Sequence, residues 1–288
     1  MIAYPEWISP NVVSFSLPSG GEFAIRWYSV MYLVGYILGF FIFRKRVREG
    51  LFRISEEALD SFISHLIIGM LIGARVFYVL FYNFNEYSSD PMQIFAIWKG
   101  GLSFHGAAVG MTLGCWLFAR KNKVSFFEVT DAMALAAALG VFFGRWGNFI
   151  NGELYGRPTD VAWGMIFPTD PHEMIRHPSQ IYQSLTEGLL LFIILWNLQK
   201  WALKNNRYRP GLIGGSFLVG YGVFRFFVEY TREPDAQLGL LLGGLFSMGQ
   251  ILCFFTALAG FIVLMYTQKT QPVLVPATQG KVAKNQKK

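Results

Sequence analysis

Apolar runs near twenty residues long recur along almost the whole chain, separated by short polar stretches. About 20 apolar residues is the length a helix needs to cross the hydrocarbon core of a bilayer. The pattern predicts seven such spans, over 25–43, 57–82, 102–119, 128–149, 178–198, 212–230 and 245–266. The second is longer than a bilayer requires, so it tilts or projects from one face. Ahead of the first span, 1–24 contains no Lys or Arg, and Pro5, Pro10 and Pro18 interrupt any helix. This segment does not read as a signal peptide; it is expected to lie on the membrane surface with Trp7 and Phe15 at the interface. Two longer loops stand out: 150–177 is expected to form a small external cap, and 83–104 a re-entrant or interfacial turn. The polar, Lys-rich stretch 269–288 is expected to be a disordered tail, leaving 1–268 as one transmembrane domain.

Composition agrees with this pattern. Of 288 residues, 53% are hydrophobic and only 15% charged, and mean hydropathy is +0.37. A soluble domain carries about 25% charged residues. The formal net charge of +7 would suit nucleic acid, but its placement argues for topology instead. Seventeen of the 25 Lys and Arg fall in 44–56, 119–127, 199–211 and 267–288, whereas four fall in 1–24, 83–101, 150–177 and 231–244. The positive-inside rule then puts the N-terminus outside and the C-terminus in the cytoplasm, with no nucleic-acid partner implied. Cys115 and Cys253 lie in apolar spans and make neither a disulfide framework nor a metal cluster.

Charged groups within a bilayer cost roughly 2.5–3.5 kcal/mol each, so each needs a reason. Tyr221, Arg225, Glu229 and Arg232 follow one another at helical spacing on a single face, with Arg225 and Glu229 able to pair. Arg75, Tyr78 and Tyr82 form a second polar face, and His105 sits among small residues at the start of the third span. The fourth span ends in GRWGNFINGELYG, over 144–156, which brings Arg145, Asn148, Asn151 and Glu153 among four glycines. By the predicted topology Tyr28, Arg75, Tyr78, His105, Arg145, Asn148, Arg225 and Glu229 fall in the outer half of the bundle. Arg75, Arg145 and Arg225 against Glu153 and Glu229 make a net cationic site, suited to the phosphate of a lipid head group. A transporter with an anion pathway and a non-catalytic scaffold remain alternatives from residues alone.

These residues also carry a family resemblance. GRWGNFINGELYG resembles the signature of the bacterial prolipoprotein diacylglyceryl transferases. RWYSVMYLVG, GARVFYVLFYNF, GGLSFHG, RHPSQIY, GYGVFRFFVEYTREPDAQ and SMGQIL are similar to further family segments, in the family's order. The resemblance implies an all-α integral membrane enzyme of seven transmembrane helices in the bacterial inner membrane, its active site toward the outer leaflet. Such an enzyme moves the diacylglyceryl group of phosphatidylglycerol to the lipobox cysteine of a prolipoprotein signal peptide, without metal or cofactor. It makes 1–268 a catalytic domain and 269–288 its cytoplasmic tail. By motif position it marks Tyr28, His105, Arg145, Asn148, Glu153, Gly156, Arg225 and Glu229, with weaker claims for Tyr78, Tyr82, Tyr221 and His177. One departure is Gln183, where relatives often have an acid after RHPSQLY, so no catalytic carboxylate is expected there. The loop between Gly156 and His177 is also short beside some relatives.

The reaction needs a thiol to lose its proton and a departing phosphate to have its charge held. His105 is the expected base, and Arg145 and Arg225 the expected phosphate clamp. Glu229 is expected to orient Arg225, Tyr28 to position a substrate, and Asn148, Glu153, Gly156, Tyr78, Tyr82 and Tyr221 to line the binding site.

Overall fold

The computed structural model of the chain describes residues 2–5, 7–16, 22–96, 98, 100–233, 240–241 and 245–273. These are mainly helical: α1 (Trp27–Arg48), α2 (Glu56–Phe81), α3 (Phe84–Ser89), α4 (Phe104–Lys121) and α5 (Phe126–Ile150) come first. A continuous rod over Ser179–Lys204 follows, built from α6 (Ser179–Gln183), a π-helical stretch (Ser184–Leu190) and α7 (Leu191–Lys204). Then come α8 (Leu212–Val228) and α9 (Met248–Thr267). Among the described residues, six helices are long and apolar enough to cross a membrane: α1, α2, α5, the rod, α8 with its 3-10 extension, and α9. α4 occupies the place of the third expected span, but its 18 residues include His105, Arg120, Lys121 and three glycines, which dilute its hydropathy. An all-α, multi-pass membrane architecture therefore stands. The expected tail lies mostly outside the described residues, from 274 onward.

The chain divides into two compact units, one of 44–130 and one of 1–43 with 131–288. In the 44–130 unit, α2 and α4 pack backbone against backbone. A Cβ at Gly110 would lie 2.8 Å from the Cα of Gly73, and one at Gly73 would lie 2.6 Å from the Cα of Gly110. Only glycine permits that approach, and without it the two helices would be held a side chain apart. Below this seam, Phe52, Phe62 and Phe118 form a buried aromatic cluster, and the buried Glu128 accepts from the backbone N–H and Nε of Arg53.

The loop after α2 in this unit is organised around Arg75, which is only 4% exposed. Its guanidinium donates to the carbonyls of Ile94 (2.8 Å), Gln93 (2.6 Å), Gly100 (2.7 Å) and Gly101 (3.0 Å), with Ala96 at 3.5 Å, and it lies over the ring of Tyr87. Five N–H groups thus meet five carbonyls, so the donor capacity of the side chain is filled by the protein itself. Arg75 is a loop clamp. The expectation that it joins a phosphate-binding set is corrected on that ground.

In the other unit, the expected surface segment is a β-hairpin of β2 (Asn11–Ser16) and β3 (Glu22–Arg26), after the short β1 (Ile2–Ala3). Register pairs Val13 with Ile25 and Phe15 with Phe23, so one face is wholly apolar and exposed, and the chain passes directly from Arg26 into α1. The expected cap is built from β4 (Met165–Ile166) and β5 (Ile175–Arg176), with β1 beside β4. Its core is the buried pair Asp170–Arg176 at 2.8 Å, with Arg176 reaching on to Glu233 at 2.8 Å and lying over the Tyr155 ring. The short strands β6 (Leu240–Leu241) and β7 (Phe246–Ser247) precede α9. Asp131, fully buried on α5, accepts from the Tyr208 hydroxyl and from the N–H groups of Gly211 and Gly214, thereby capping the start of α8.

Candidate active site

The polar residues at the end of α5 are organised by the turn that follows it. Tyr4 donates its hydroxyl to the carbonyls of Phe149 and Ile150, at 2.9 Å each, and so closes the C-terminus of the helix. Gly152, at φ 67°, and Leu154, at φ 58°, then turn the chain so that Glu153 folds back under the helix. There Glu153 accepts from Nδ2 of Asn148 (2.8 Å) and Nδ2 of Asn151 (3.2 Å), and Asn148 Oδ1 accepts from Arg145 Nη1 at 3.2 Å. Gln180 secures the same turn through the Glu153 carbonyl at 2.7 Å. Arg145 is therefore held at the head of a chain Arg145–Asn148–Glu153 that starts on a helix and ends in a backbone turn.

Tyr28 lies across Gly147, where a Cβ would stand 3.0 Å from its ring. Its hydroxyl donates to that of Tyr32 at 3.0 Å, and it lies within electrostatic reach of Arg145 and Glu153. Gly156 has a different use from the one expected. Its N–H donates to the His177 carbonyl at 2.8 Å, and a Cβ there would run into Thr231 O and stand 2.8 Å from the His177 Cβ. It is the point where the cap crosses the end of α8, and it has no room for a side chain. Gly147 and Gly156 thus serve the protein's own close packing, and Gly152 its turn.

The second guanidinium is on α8. Arg225 Nη2 stands 2.9 Å from Glu229 Oε2 one turn later, as the spacing implied, and Arg232 reaches the same oxygen at 3.7 Å. Glu229 Oε1 also accepts from Ser247 Oγ at 3.2 Å, which ties it to the capping box at the start of α9. On its other side, Arg225 Nη1 faces Glu187 Oε1 at 3.8 Å. Glu187 sits in the π-helical stretch, is fully buried, and lies within electrostatic reach of Arg145 and Tyr221. With Arg75 withdrawn and Glu187 added, three guanidinium groups (Arg145, Arg225 and Arg232) and three carboxyl groups (Glu153, Glu187 and Glu229) gather in this unit.

Sequence reasoning passed over Glu187, although an acid in the apolar run SLTEGLLLF is the same signal that singled out Arg225. It noted the missing acid at Gln183; a carboxylate lies four residues further along the same rod. Tyr28, Arg145, Asn148, Glu153, Gly156, Tyr221, Arg225 and Glu229 belong to one unit, and His105, Tyr78 and Tyr82 to the 44–130 unit. In that unit His105 lies in the first turn of α4, whose N-cap is Ser103, and Tyr78 stacks on Tyr82 with ring centroids 5.7 Å apart. His177, in the cap, has its imidazole held below the ordinary histidine range by burial, and its Nδ1 lies 3.2 Å from the Tyr182 hydroxyl. No group of three or more His, Cys, Asp or Glu able to hold a metal occurs among the described residues.

Residues 13–266 match the family model described as prolipoprotein diacylglyceryl transferase. The chain belongs to that family. It is 42% identical over 274 residues to the phosphatidylglycerol–prolipoprotein diacylglyceryl transferase of Ectopseudomonas mendocina, covering 95% of this chain and 98% of the relative. The enzyme of the same name from Nitratidesulfovibrio vulgaris is 42% identical over 265 residues (92% and 96% of the two chains). That of Bordetella bronchiseptica is 43% identical over 270 residues (93% and 98%). Family membership covers both units, including α2 and α4 as well as the Arg145 and Arg225 helices.

Proposed function

We propose that this chain transfers the diacylglyceryl group of phosphatidylglycerol to the lipobox cysteine thiol of prolipoproteins, forming a thioether and releasing glycerol 1-phosphate. The names of its relatives state the donor, the acceptor and the group transferred, and these relatives are matched over nearly their full length. The observation that carries the reading at the residue level is the presence of two guanidinium groups, each fixed by its own partner within apolar spans: Arg145 by Asn148, Arg225 by Glu229.

In the reaction, the cysteine sulfur bonds to glyceryl C3 while the C3–O bond breaks, and its electron pair leaves with the phosphate oxygen. Arg145 and Arg225 hold the charge that develops on that oxygen, in a setting where donors fixed beforehand need no reorganisation. Glu229 keeps Arg225 in position, and the Asn148–Glu153 pair does the same for Arg145. Tyr28 positions substrate beside Arg145, and Tyr221 lines the region around Arg225. The thiol proton passes to His105; this assignment rests on the place of His105 in GGLSFHG, as those of Tyr78 and Tyr82 rest on GARVFYVLFYNF.

Both substrates are lipid-borne, which suits a multi-pass protein. In this reading α4 is a seventh span, the N-terminus is outside and the C-terminus cytoplasmic, and the reaction takes place toward the outer leaflet. The asymmetry of Lys and Arg between the two sets of loops supports that orientation. Both units then serve one catalytic domain over 1–268. The test is to incubate purified protein in nanodiscs with phosphatidylglycerol and a lipobox peptide, and to follow the diacylglyceryl adduct by mass spectrometry. An adduct on cysteine, absent from a Cys→Ser peptide, is the expected result. No adduct from folded protein would overturn the reading.

A further inference from the structure

Buried polar atoms are nearly always paired, so an unpaired cluster marks a place where a partner belongs. Among the described residues, Glu187 is fully buried, yet neither carboxylate oxygen accepts a hydrogen bond. Facing it, Arg225 Nη1 is buried and donates none, although the two groups stand 3.8 Å apart, too far for a direct bond. Four residues before Glu187, the buried amide Nε2 of Gln183 also lacks an acceptor. The stretches that carry Gln183 and Glu187 each pack against α8, and the π-helical stretch holds Glu187 out of ordinary α register.

The chemistry of these unmet groups is mixed. Arg225 Nη1 and Gln183 Nε2 need an acceptor. Glu187 needs a donor. An anion without a hydroxyl satisfies the first pair and leaves the third without a donor, so a simple anion does not complete the site. A phosphate ester whose alcohol carries a free hydroxyl satisfies all three, because it presents acceptor oxygens and a donor a few bonds apart. The phosphoglycerol head group is such an ester.

We infer that Glu187 accepts a hydrogen bond from a glycerol hydroxyl of the donor lipid while Arg225 Nη1 and Gln183 take its phosphate oxygens. Glu187 is thereby the residue that selects lipids with a hydroxylated head-group alcohol. The inference rests on phosphatidylglycerol being the diacylglyceryl donor. It adds a specificity contact on the leaving group, at a position distinct from the motif residues named above. A site built to bond a substrate hydroxyl rejects the analogue lacking it far more strongly than an apolar pocket rejects a missing methylene, because the protein's own polar group is then left stranded.

The experiment compares phosphatidylglycerol with phosphatidylpropanol, which has the same phosphodiester and acyl chains but no head-group hydroxyl. Transfer to a lipobox peptide is measured for the wild-type protein, Glu187→Ala and the volume-conserving Glu187→Gln. Wild-type kcat/KM is expected to favour phosphatidylglycerol by about a hundredfold or more. In Glu187→Ala that ratio is expected to fall toward one, because turnover of phosphatidylglycerol is lost to a greater extent than turnover of phosphatidylpropanol. If Glu187→Ala does not fold, Glu187→Gln carries the same comparison and is expected to narrow the ratio at least tenfold. Equal use of both lipids by the wild-type protein overturns the selectivity whatever the variants do. An unchanged ratio in the variants overturns the role of Glu187 and leaves the gap to a structural water. Transfer from neither lipid overturns the transferase reading itself, and this inference with it.

Discussion

Arg225 on α8 and Glu229 at the start of its 3-10 extension stand one turn apart with Nη2 and Oε2 separated by 2.9 Å, and the pair is tied to the next helix through Ser247. The ion pair keeps the guanidinium beside the carboxylate before any substrate arrives. A lysine at 225 keeps the charge but loses the fork that can bridge a carboxylate and a phosphate. Arg225→Lys is therefore expected to lower kcat by about 10²–10³, the usual loss when one fixed donor to developing charge is removed. Glu229→Gln keeps the shape and loses the orientation, and is expected to show a smaller fall of the same kind. Steady-state transfer assays with folding checked by thermal denaturation measure both. A near-normal kcat in Arg225→Lys would remove Arg225 from the clamp.

Arg75 should behave in the opposite way. Its five N–H groups are spent on carbonyls of the loop after α2, so its loss strands main-chain acceptors in a buried place. Arg75→Ala is expected to cost on the order of 3 kcal/mol in stability and to lower yield. The fraction that folds is expected to keep KM for the lipid within about twofold, since the guanidinium is taken up by the loop. A stable Arg75→Ala protein with a greatly raised KM would return Arg75 to the binding site.

The contrast between these two arginines shows where the sequence stops being legible. The spans were readable because a bilayer leaves few alternatives to an apolar helix, and α2, α5 and α9 begin and end within about three residues of the expected places. Arg225–Glu229 was readable because helical spacing alone brings the groups together. The pairing of Asn148 with Glu153 was not, because it depends on a turn through positive φ at Gly152 and Leu154, which spacing does not encode. Arg75 was misassigned for a related reason: its partners are carbonyls, and every residue has one. Glu187 had a visible signal, but its meaning required knowing that Arg225 faces it from another helix.

The cap has its own measurable signature. Hydrogen bonds from Arg176 hold the Asp170 carboxyl down, from an ordinary 3.8 to about 2; burial works against this, and the N–H groups of His172 and Met174 add to it. A depressed carboxylate pKa contributes stability that is fully present above the unfolded value. That contribution is lost as pH falls through the folded value. Cap stability should therefore decline between about pH 4 and pH 2, by roughly 2 kcal/mol from this group. Asp170→Asn is expected to remove that pH dependence and to leave Arg176 with Glu233 as its only acidic partner. Hydrogen exchange of residues 155–177 as a function of pH reads both effects. An identical decline in Asp170→Asn would show that another group governs it.

The proton-accepting role of His105 calls for a variant that separates chemistry from binding. Glutamine approximates the shape of the imidazole and hydrogen-bonds, but cannot take up a proton at neutral pH. If His105 removes the thiol proton, His105→Gln should lower kcat by about 10²–10⁴ and leave KM for phosphatidylglycerol close to normal. Raising the pH should then recover part of the loss, because an increasing share of the peptide thiol, with a pKa of about 8.5, ionises without help. A structural role at the start of α4 makes a different forecast: lower stability, with no recovery at high pH. Turnover of His105→Gln across pH 6 to 9, beside its melting temperature, distinguishes the two. Full activity at every pH would mean that the clamp alone lowers the thiol pKa enough for the reaction.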